Sequence, residues 1–400
     1  MAFQTARQIE VAYKAQAAIG TAESGSGATG FRINSGGLNL TKEPIQSGEN
    51  RRDGQRSRGR HGQRSVSGQY VADLSVGSFD ALIAAILWST FGSALVITEA
   101  TSGGPTEITT TSSTIVGNTG SWITAGLRVG DVFRLTNHST AGNNSKNLGP
   151  ILGLTATTIT LPAGQLTENA VADTAFTITR PKKCIMGSTR SAYTVEEREI
   201  DIDGSEVFEW CRVSFVEISL QPNSMAQITV GMAGRDMAVE EGGDSPNFSS
   251  PTYSTTQGLT AVECAIYLGS TQVTDLTGLT IRIDRRAAGI PVVGSVRTPD
   301  VFDNDAEVTG SITGLRQDFT RTAAFLAETD LSLHVKFAEN ETEPADFLTM
   351  YVPYLTLASS SKSEIGQDGP RTQTLELMIG KDERGGAYEA TMIAFQSTAS

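Results

Sequence analysis

Residues that could do chemistry are few in this sequence, and they stand apart from one another. His61, His138 and His334 lie in an arginine-rich segment, a Thr/Asn-rich segment and a predicted strand, and none has a Cys, Asp or His neighbour at metal-ligand spacing. The patterns GxxxxGK(S/T), HExxH and GxSxG do not occur in the chain. The sequence therefore predicts no catalytic residues and no metal site, and it favours a protein that is not an enzyme.

Two weaker patterns have simpler explanations. Gly25-x-Gly27-x-x-Gly30 matches the dinucleotide-binding pattern, but it lies in a Gly/Ser stretch that leads into a predicted strand rather than a helix, so no helix N-terminus awaits a phosphate. Asp201-x-Asp203 and the acidic stretch 300–307 carry carboxylates that could bind a cation, but they lack the frame of a calcium-binding EF-hand loop. We interpret the first as a linker and the others as acidic turns, and we expect no cofactor.

Composition limits the remaining classes. The chain has 400 residues, enough for two to four domains, with 31 Lys and Arg against 44 Asp and Glu and a net charge of −13. That charge disfavours tight nucleic-acid binding, which normally needs a basic face. No run approaches 18 apolar residues, which excludes a membrane-spanning helix and argues against membrane insertion.

The three cysteines and the first residues bear on the compartment. Cys184, Cys211 and Cys264 are odd in number and not closely spaced, so the sequence predicts neither a disulfide framework nor a zinc knuckle. The first residues lack a charged segment followed by an apolar one, which predicts no secretory signal. Folding in a reducing cytoplasm is the simplest interpretation.

One segment is strongly basic. Within the polar segment 43–64, predicted to be a long loop, stand six arginines: Arg51, Arg52, Arg56, Arg58, Arg60 and Arg64. As a nucleic-acid arm it would release counterions, but it lacks aromatic residues for base stacking. Acidic stretches at 240–244 and 339–346 give it complementary surfaces on the same protein. We therefore favour self-association, in which this arginine arm (residues 43–64) docks on another copy.

The pattern of apolar residues predicts a mainly β chain with a tandem duplication. Alternating residues predict strands at 9–13, 31–40 and 66–74, and Phe79, Leu82, Ile83, Ile86 and Leu87 predict a short helix over 79–87. At an offset of 242 residues, Val66-Ser67-Gly68 matches Val308-Thr309-Gly310, and Ala81 falls on Ala323. A second strand, polar loop, strand and helix follow in the same order over residues 279–328.

The composition changes abruptly within the first copy. From residue 98 to residue 179 there is almost no Lys or Arg, and short Thr- and Val-rich runs recur. We predict a small all-β domain over 98–180, inserted between residues 1–97 and 181–255 of a first domain, with a second domain over 256–400. We expect the insertion to fold independently on the outside of an assembly, so that its deletion leaves assembly intact.

The order of these features resembles that of tail tube (major tail) proteins of bacteriophages with long non-contractile tails (siphophages). The resemblance covers about 1–96 and 183–400, and its motifs are structural and diffuse. It rests on residues 8–13, Leu38-Asn39-Leu40, the arginine arm, Val66-Ser67-Gly68, the predicted helix 79–87, and the block from Tyr193-Thr194-Val195-Glu196 to Leu220-Gln221-Pro222-Asn223-Ser224.

The resemblance implies a specific fold and assembly. Each domain is expected to be a β-sandwich flanked by a short helix, and six such sheets are expected to close into a ring around a β-barrel lumen. Stacked rings form the virion tail tube, assembled in the host cytoplasm and held together by long loops; here those loops would be the arginine arm. The tube holds a tape-measure protein, meets tail terminator and tip proteins, and conducts double-stranded DNA without specific binding. Two domains per chain predict trimeric, pseudo-hexameric rings. A channel that must not hold DNA predicts an acidic inner wall.

The sequence is compatible with two other interpretations. One is another tail component, such as a terminator or a subunit of a toxin-injection tube, although such proteins are usually shorter. The other is a secreted or surface carbohydrate-binding or adhesive β-protein, for which the Thr/Asn-rich insertion is the only support.

Overall fold

The computed structural model describes residues 3–366 and 368–399, and the polypeptide there is built almost wholly from antiparallel strands. Only two α-helices occur in that part of the chain, each of seven residues, so the expected mainly β class is confirmed. Alternation explains the strands: the strand over residues 60–73 buries Val66, Tyr70 and Ala72 and turns the residues between them outward. None of the described helices is long and apolar enough to cross a bilayer.

The elements fall into four groups along the chain. Before the Thr-rich segment they are β1 (Ile9–Ala15), β2 (Thr29–Phe31), β3 (Ser35–Ile45), β4 (Arg60–Asp73) and α1 (Asp80–Ile86). The Thr-rich segment forms β5 (Leu95–Thr98), β6 (Ile108–Thr110), β7 (Thr114–Gly117), β8 (Phe133–Thr136), β9 (Lys146–Leu148), β10 (Gly153–Leu154), β11 (Thr158–Thr160), β12 (Asn169–Asp173) and β13 (Thr177–Arg180).

The chain then returns to longer strands. These are β14 (Lys182–Ile185), β15 (Tyr193–Glu199), β16 (Gly204–Leu220), β17 (Gln227–Gly234) and β18 (Asp236–Glu241). The last group is β19 (Cys264–Leu268), β20 (Thr271–Val273), β21 (Leu276–Asp284), β22 (Ala288–Gly289), β23 (Val301–Phe302), β24 (Glu307–Leu315), α2 (Thr320–Leu326), β25 (Leu331–Ala338), β26 (Phe347–Lys362), β27 (Thr372–Ile379) and β28 (Ala394–Ser397). Short 3₁₀ turns lie at Ala141–Asn143, Ile200–Ile202 and Gly242–Asp244.

Each half of the chain outside the Thr-rich segment is a pair of sheets that share one long strand. In the first half this strand is β16, and the sheets have the orders β3-β4-β17-β16 and β2-β1-β15-β16-β18. In the second half it is β26, with the orders β21-β24-β27-β26 and β20-β19-β25-β26-β28. A bulge interrupts each long strand, between Val213 and Phe215 and between Leu357 and Ser359, just after the strand passes from one sheet to the other.

The two halves join through a strand pair. Residues 215–220 of β16 pair with residues 279–284 of β21, so the first sheets of the two halves form one eight-stranded sheet. Its order is β3-β4-β17-β16-β21-β24-β27-β26. The buried face of this sheet packs into a hydrophobic core that is continuous between the halves and includes α1.

The helices correspond at an offset of 240, not 242. Phe79 and Phe319 are the N-cap residues of α1 and α2, and Trp88 and Glu328 both adopt a left-handed conformation two residues after the helix end. The predicted match of Ala81 with Ala323 is therefore wrong by two residues. The cause is the connection, which has six residues between β4 and α1 but four between β24 and α2.

The Thr-rich segment has its own core but is not attached only at its ends. Its buried residues, Trp122 and Phe176 among them, form a separate cluster. Asp131 of this segment, however, contacts the second half of the chain. Its Oδ1 lies 2.6 Å from Nζ of Lys183 and accepts a hydrogen bond from Nε2 of Gln396. Deleting residues 98–180 would remove these contacts within the chain, and the expectation that assembly survives the deletion stays a prediction.

Residues 182–185 belong to a different half of the structure from the one predicted. Although the predicted boundary assigns them to the first domain, β14 pairs with β28 and adds a strand to the second half.

Candidate assembly surfaces

The histidines occupy packed or solvated positions. His334 on β25 is buried between Tyr267 and Tyr351, and burial, with a smaller contribution from the charge of Lys336, lowers its pKa to about 3. His138 is also buried, with Nδ1 3.7 Å from a carboxylate oxygen of Asp173, a partner that its spacing in the sequence did not reveal. In residues 3–366 and 368–399 no group of three His, Cys, Asp or Glu side chains has the arrangement of a metal site.

The acidic stretch 300–307 makes contacts within the protein. Asp300 and Asp303 lie 3.2 and 2.9 Å from the guanidinium of Arg212, and the indole N–H of Trp210 donates to Asp300. Burial raises the pKa of Asp303, and the neighbouring arginines oppose that shift. These carboxylates hold the connection between β21 and β24 against β16.

Two edges of the eight-stranded sheet have no partner strand in the described part of the chain. One is β3, and the other is the last part of β26, residues 356–362. An exposed edge presents N–H and C=O groups that can pair with another chain. These edges are therefore candidate assembly surfaces.

A carboxylate covers part of the first edge. The backbone N–H of Leu38, which points away from β4, donates to Oε1 of Glu197 at 2.7 Å, and the hydroxyl of Tyr70 donates to the same oxygen at 2.5 Å. Burial raises the pKa of Glu197, and these hydrogen bonds oppose the shift. The sequence did not indicate this role, because Glu197 lies among four charged residues that suggest a solvated strand.

The open face of the eight-stranded sheet is acidic. This face carries small polar residues; the guanidinium of Arg282 lies between Glu217 and Asp284, and that of Arg286 contacts Glu307. The charged residues whose alternation places them on this face are Asp73, Glu217, Arg282, Asp284, Glu307 and Glu376.

The arginine arm is a β-hairpin with a shorter loop than predicted. Strands β3 and β4 stay paired as far as Ile45 and Arg60, which leaves residues 46–59 as the loop. Arg64 is half-buried and lies 3.2 Å from Asp236, so it has a structural partner within the chain. The other five arginines are exposed: Arg51, Arg52, Arg56, Arg58 and Arg60.

The arm lies at a defined end of the sheet. Because neighbouring strands run in opposite directions, the β3–β4 and β21–β24 connections share one end, which we name the loop end. The β16–β17 and β26–β27 turns lie at the other end, which we name the helix end because the connections that lead into both α-helices start there. The molecule thus has two lateral edges and two distinct ends.

Comparisons with known proteins agree with this geometry. A model of the family described as phage tail tube protein matches residues 6–379, which is nearly the whole chain. A comparison with curated protein sequences finds no match. A mainly β chain with large antiparallel sheets, matched by this model over almost its full length, is a structural protein of the virion tail: the chain belongs to the phage tail tube protein family.

Proposed function

We propose that the chain forms trimeric rings by pairing the free edge of β26 with β3 of the next copy, and that stacked rings make the tube of a long non-contractile tail. The observation that supports this is the β16–β21 pair. Within one chain, this pair already joins a sheet of the first half to a sheet of the second half by the kind of edge contact that a ring requires. Ring closure would also cover both free edges, and the N–H of Leu38 would then exchange Oε1 of Glu197 for a carbonyl of β26.

The internal pair gives the register of the pair between copies. The bulges at Ser214 and Ala358 correspond, so residue 217 of β16 corresponds to residue 361 of β26. Residue 282 of β21 likewise corresponds to residue 39 of β3. Residue 282 pairs with Thr309 of β24, residue 39 pairs with Ser67 of β4, and Ser67 and Thr309 are matching positions of the two copies. Since Glu217 pairs with Arg282, Ser361 should pair with Asn39 of the next copy.

The unequal burial of the helices supports this arrangement. Phe79 and Ile86 of α1 are 2% and 0% exposed, whereas the corresponding Phe319 and Leu326 of α2 are 74% and 77% exposed. Part of the difference lies at the internal junction, where Arg285 of the second half donates to the carbonyl of Ile86. In a ring, Lys42 of the next copy would take the position that Arg285 has at the internal junction, and it would approach α2.

The acidic open face would form the inner wall of the tube. Carboxylates repel phosphates, so DNA in transit would not be held on a wall where acidic side chains outnumber basic ones. The tape-measure protein would occupy this lumen before genome delivery, and terminator and tip proteins would contact the two ends. Assembly would occur in the host cytoplasm.

Negative-stain microscopy of the purified protein tests the proposal directly. We expect rings and tubes with a central hole, and end-on views with three whole chains per ring. Rings of six whole chains would contradict the trimer, and a protein that remains monomeric at high concentration would contradict the tube.

The arginine arm is expected to hold rings together. Replacing Arg56, Arg58 and Arg60 with Ser should leave single rings soluble but shorten the tubes, since the three side chains are exposed and make few contacts within their own chain. The loss should mimic that caused by high salt, which screens exposed charges beyond about 10 Å at 0.1 M. Sedimentation and electron microscopy at low and high salt would measure it.

The outcome also separates two positions for the arm. Tubes of normal length that eject DNA at a changed rate would place the arm in the channel and contradict an inter-ring role.

A further inference from the structure

The second connection at the loop end has a chemical character unlike that of the arginine arm. Between β21 and β24, residues 290–296 form an exposed segment, here named the valine loop. Its apolar side chains are Ile290, Val292, Val293 and Val296, which are 54%, 43%, 106% and 55% exposed. The arm loop at the equivalent position in the first half, residues 46–59, contains no such residue.

The base of the valine loop is fixed. Val301 is buried with Ala233 and Ala287, and the carbonyl of Thr298 accepts a hydrogen bond from Nε of Arg235 at 2.8 Å. The amide of Arg64 donates to the carbonyl of Val296, so the loop is also tied to the base of the arginine arm. The exposed apolar side chains are therefore held outward by an anchored segment.

A matching surface lies at the helix end of the same sheet. A groove of about 210 Å³ opens where the β16–β17 turn meets the start of β21. Val262 on its lining is 72% exposed. This apolar groove is lined mainly by Leu220, Pro222, Ala261, Val262, Ile266 and Leu276.

The geometry points to a contact between copies in which the valine loop of one ring docks in the apolar groove of the next ring. This inference rests on the proposed function, because only head-to-tail stacking brings the loop end of one copy to the helix end of another. Each ring would then alternate three arginine contacts with three apolar contacts. The partner is a second copy of this chain, since loop and groove lie at opposite ends of one sheet.

The two contacts should differ in their response to salt. Charge contacts between exposed side chains weaken as salt rises, whereas burial of valine side chains does not depend on charge screening. Tubes held by both contacts should keep a salt-resistant part of their stability, and that part would come from the valine loop.

Cross-linking tests the proximity. In assembled tubes, the double variant Val293→Cys, Val262→Cys should form a disulfide between chains of adjacent rings under mild oxidation, seen as a ladder on non-reducing gels. Val293→Cys alone measures background capture by Cys264 in the groove. That background should be small, because burial raises the pKa of the Cys264 thiol to about 12.

Substitution tests the energetic role. Val292→Ser with Val293→Ser should raise the protein concentration needed for tubes at least tenfold, and the defect should persist in 1 M NaCl. Val262→Asp should give a similar defect from the groove side. The matched control is Val171→Asp, an exposed valine of the Thr-rich segment, which should change tube formation little.

The outcomes separate this inference from the proposed function. If the wild-type protein forms tubes but the valine-loop variants assemble normally, or the cysteine pair does not cross-link in those tubes, the loop–groove contact is wrong and the tube remains. If the wild type forms neither rings nor tubes, the proposed function fails, and the inference fails with it.

Discussion

The double variant Asn39→Cys, Ser361→Cys should run as a covalent trimer on non-reducing gels after ring formation and mild oxidation. Both residues are exposed, so the substitutions should not disturb the fold. The register inferred from the β16–β21 pair sets the two positions opposite each other, within the 4.4–6.8 Å between Cα atoms that a disulfide usually spans. Mass photometry of the oxidised rings would give the number of chains.

The control is a pair displaced by two positions on the same face. Asn39→Cys with Ser359→Cys places the cysteines diagonally, about 7–8 Å apart, and should cross-link poorly. Native cysteines should not interfere, because Cys184 and Cys211 are buried and burial raises the pKa of the Cys264 thiol to about 12. Covalent hexamers would contradict the trimer, and efficient cross-linking of the displaced pair alone would show that the register is wrong.

The second large effect is expected at the junction of the Thr-rich segment with the second half. Nζ of Lys183 lies 2.6 Å from Asp131 and 2.7 Å from Glu389, and the side chains of Lys183 and Asp131 are 6% and 1% exposed. Lys183→Met would leave a buried carboxylate without its nearest cation. Removing one partner of a buried pair costs about 3–5 kcal/mol, and we expect about 3 kcal/mol here because Arg180 remains 3.7 Å from Asp131.

Urea unfolding of the unassembled protein would measure this loss. Adding Asp131→Asn to Lys183→Met should restore part of the stability, since the uncompensated charge disappears. Lys381→Met is the matched control, because that lysine is exposed and its loss should fall within about 0.5 kcal/mol. A Lys183→Met variant as stable as the control would show that the ion pair does not stabilise the junction.

Local patterns in the sequence were enough to identify a mainly β protein. Alternating apolar residues identified β1, β4, β21 and β24, and the spacing of Phe79 to Leu87 identified α1 to within a residue at each end. These signals are local, since a strand or helix with one buried face records its periodicity in neighbouring residues. The order of elements also carried the resemblance to the phage tail tube family.

Local similarity failed where the copies had diverged in length. Val213-Ser214-Phe215-Val216 is similar in sequence to Val352-Pro353-Tyr354-Leu355, whereas the shared bulge makes Val213 correspond to Leu357. Likewise the helices correspond at 240 rather than 242. Hydrogen-bond register is fixed by contacts between distant strands, so insertions of a few residues in connections shift the apparent alignment without changing the fold.

Which residues lie at free sheet edges or meet distant segments is visible only in the folded chain. Nothing in the sequence near Leu38 or Ser361 distinguishes a free sheet edge from a paired one, because pairing depends on which distant strand lies alongside. The same holds for Glu197, which covers the β3 edge, and for Asp131, which meets Lys183 through packing of separate segments. Composition is a property of the chain, but an edge, a groove or a buried ion pair exists only once distant segments are brought together.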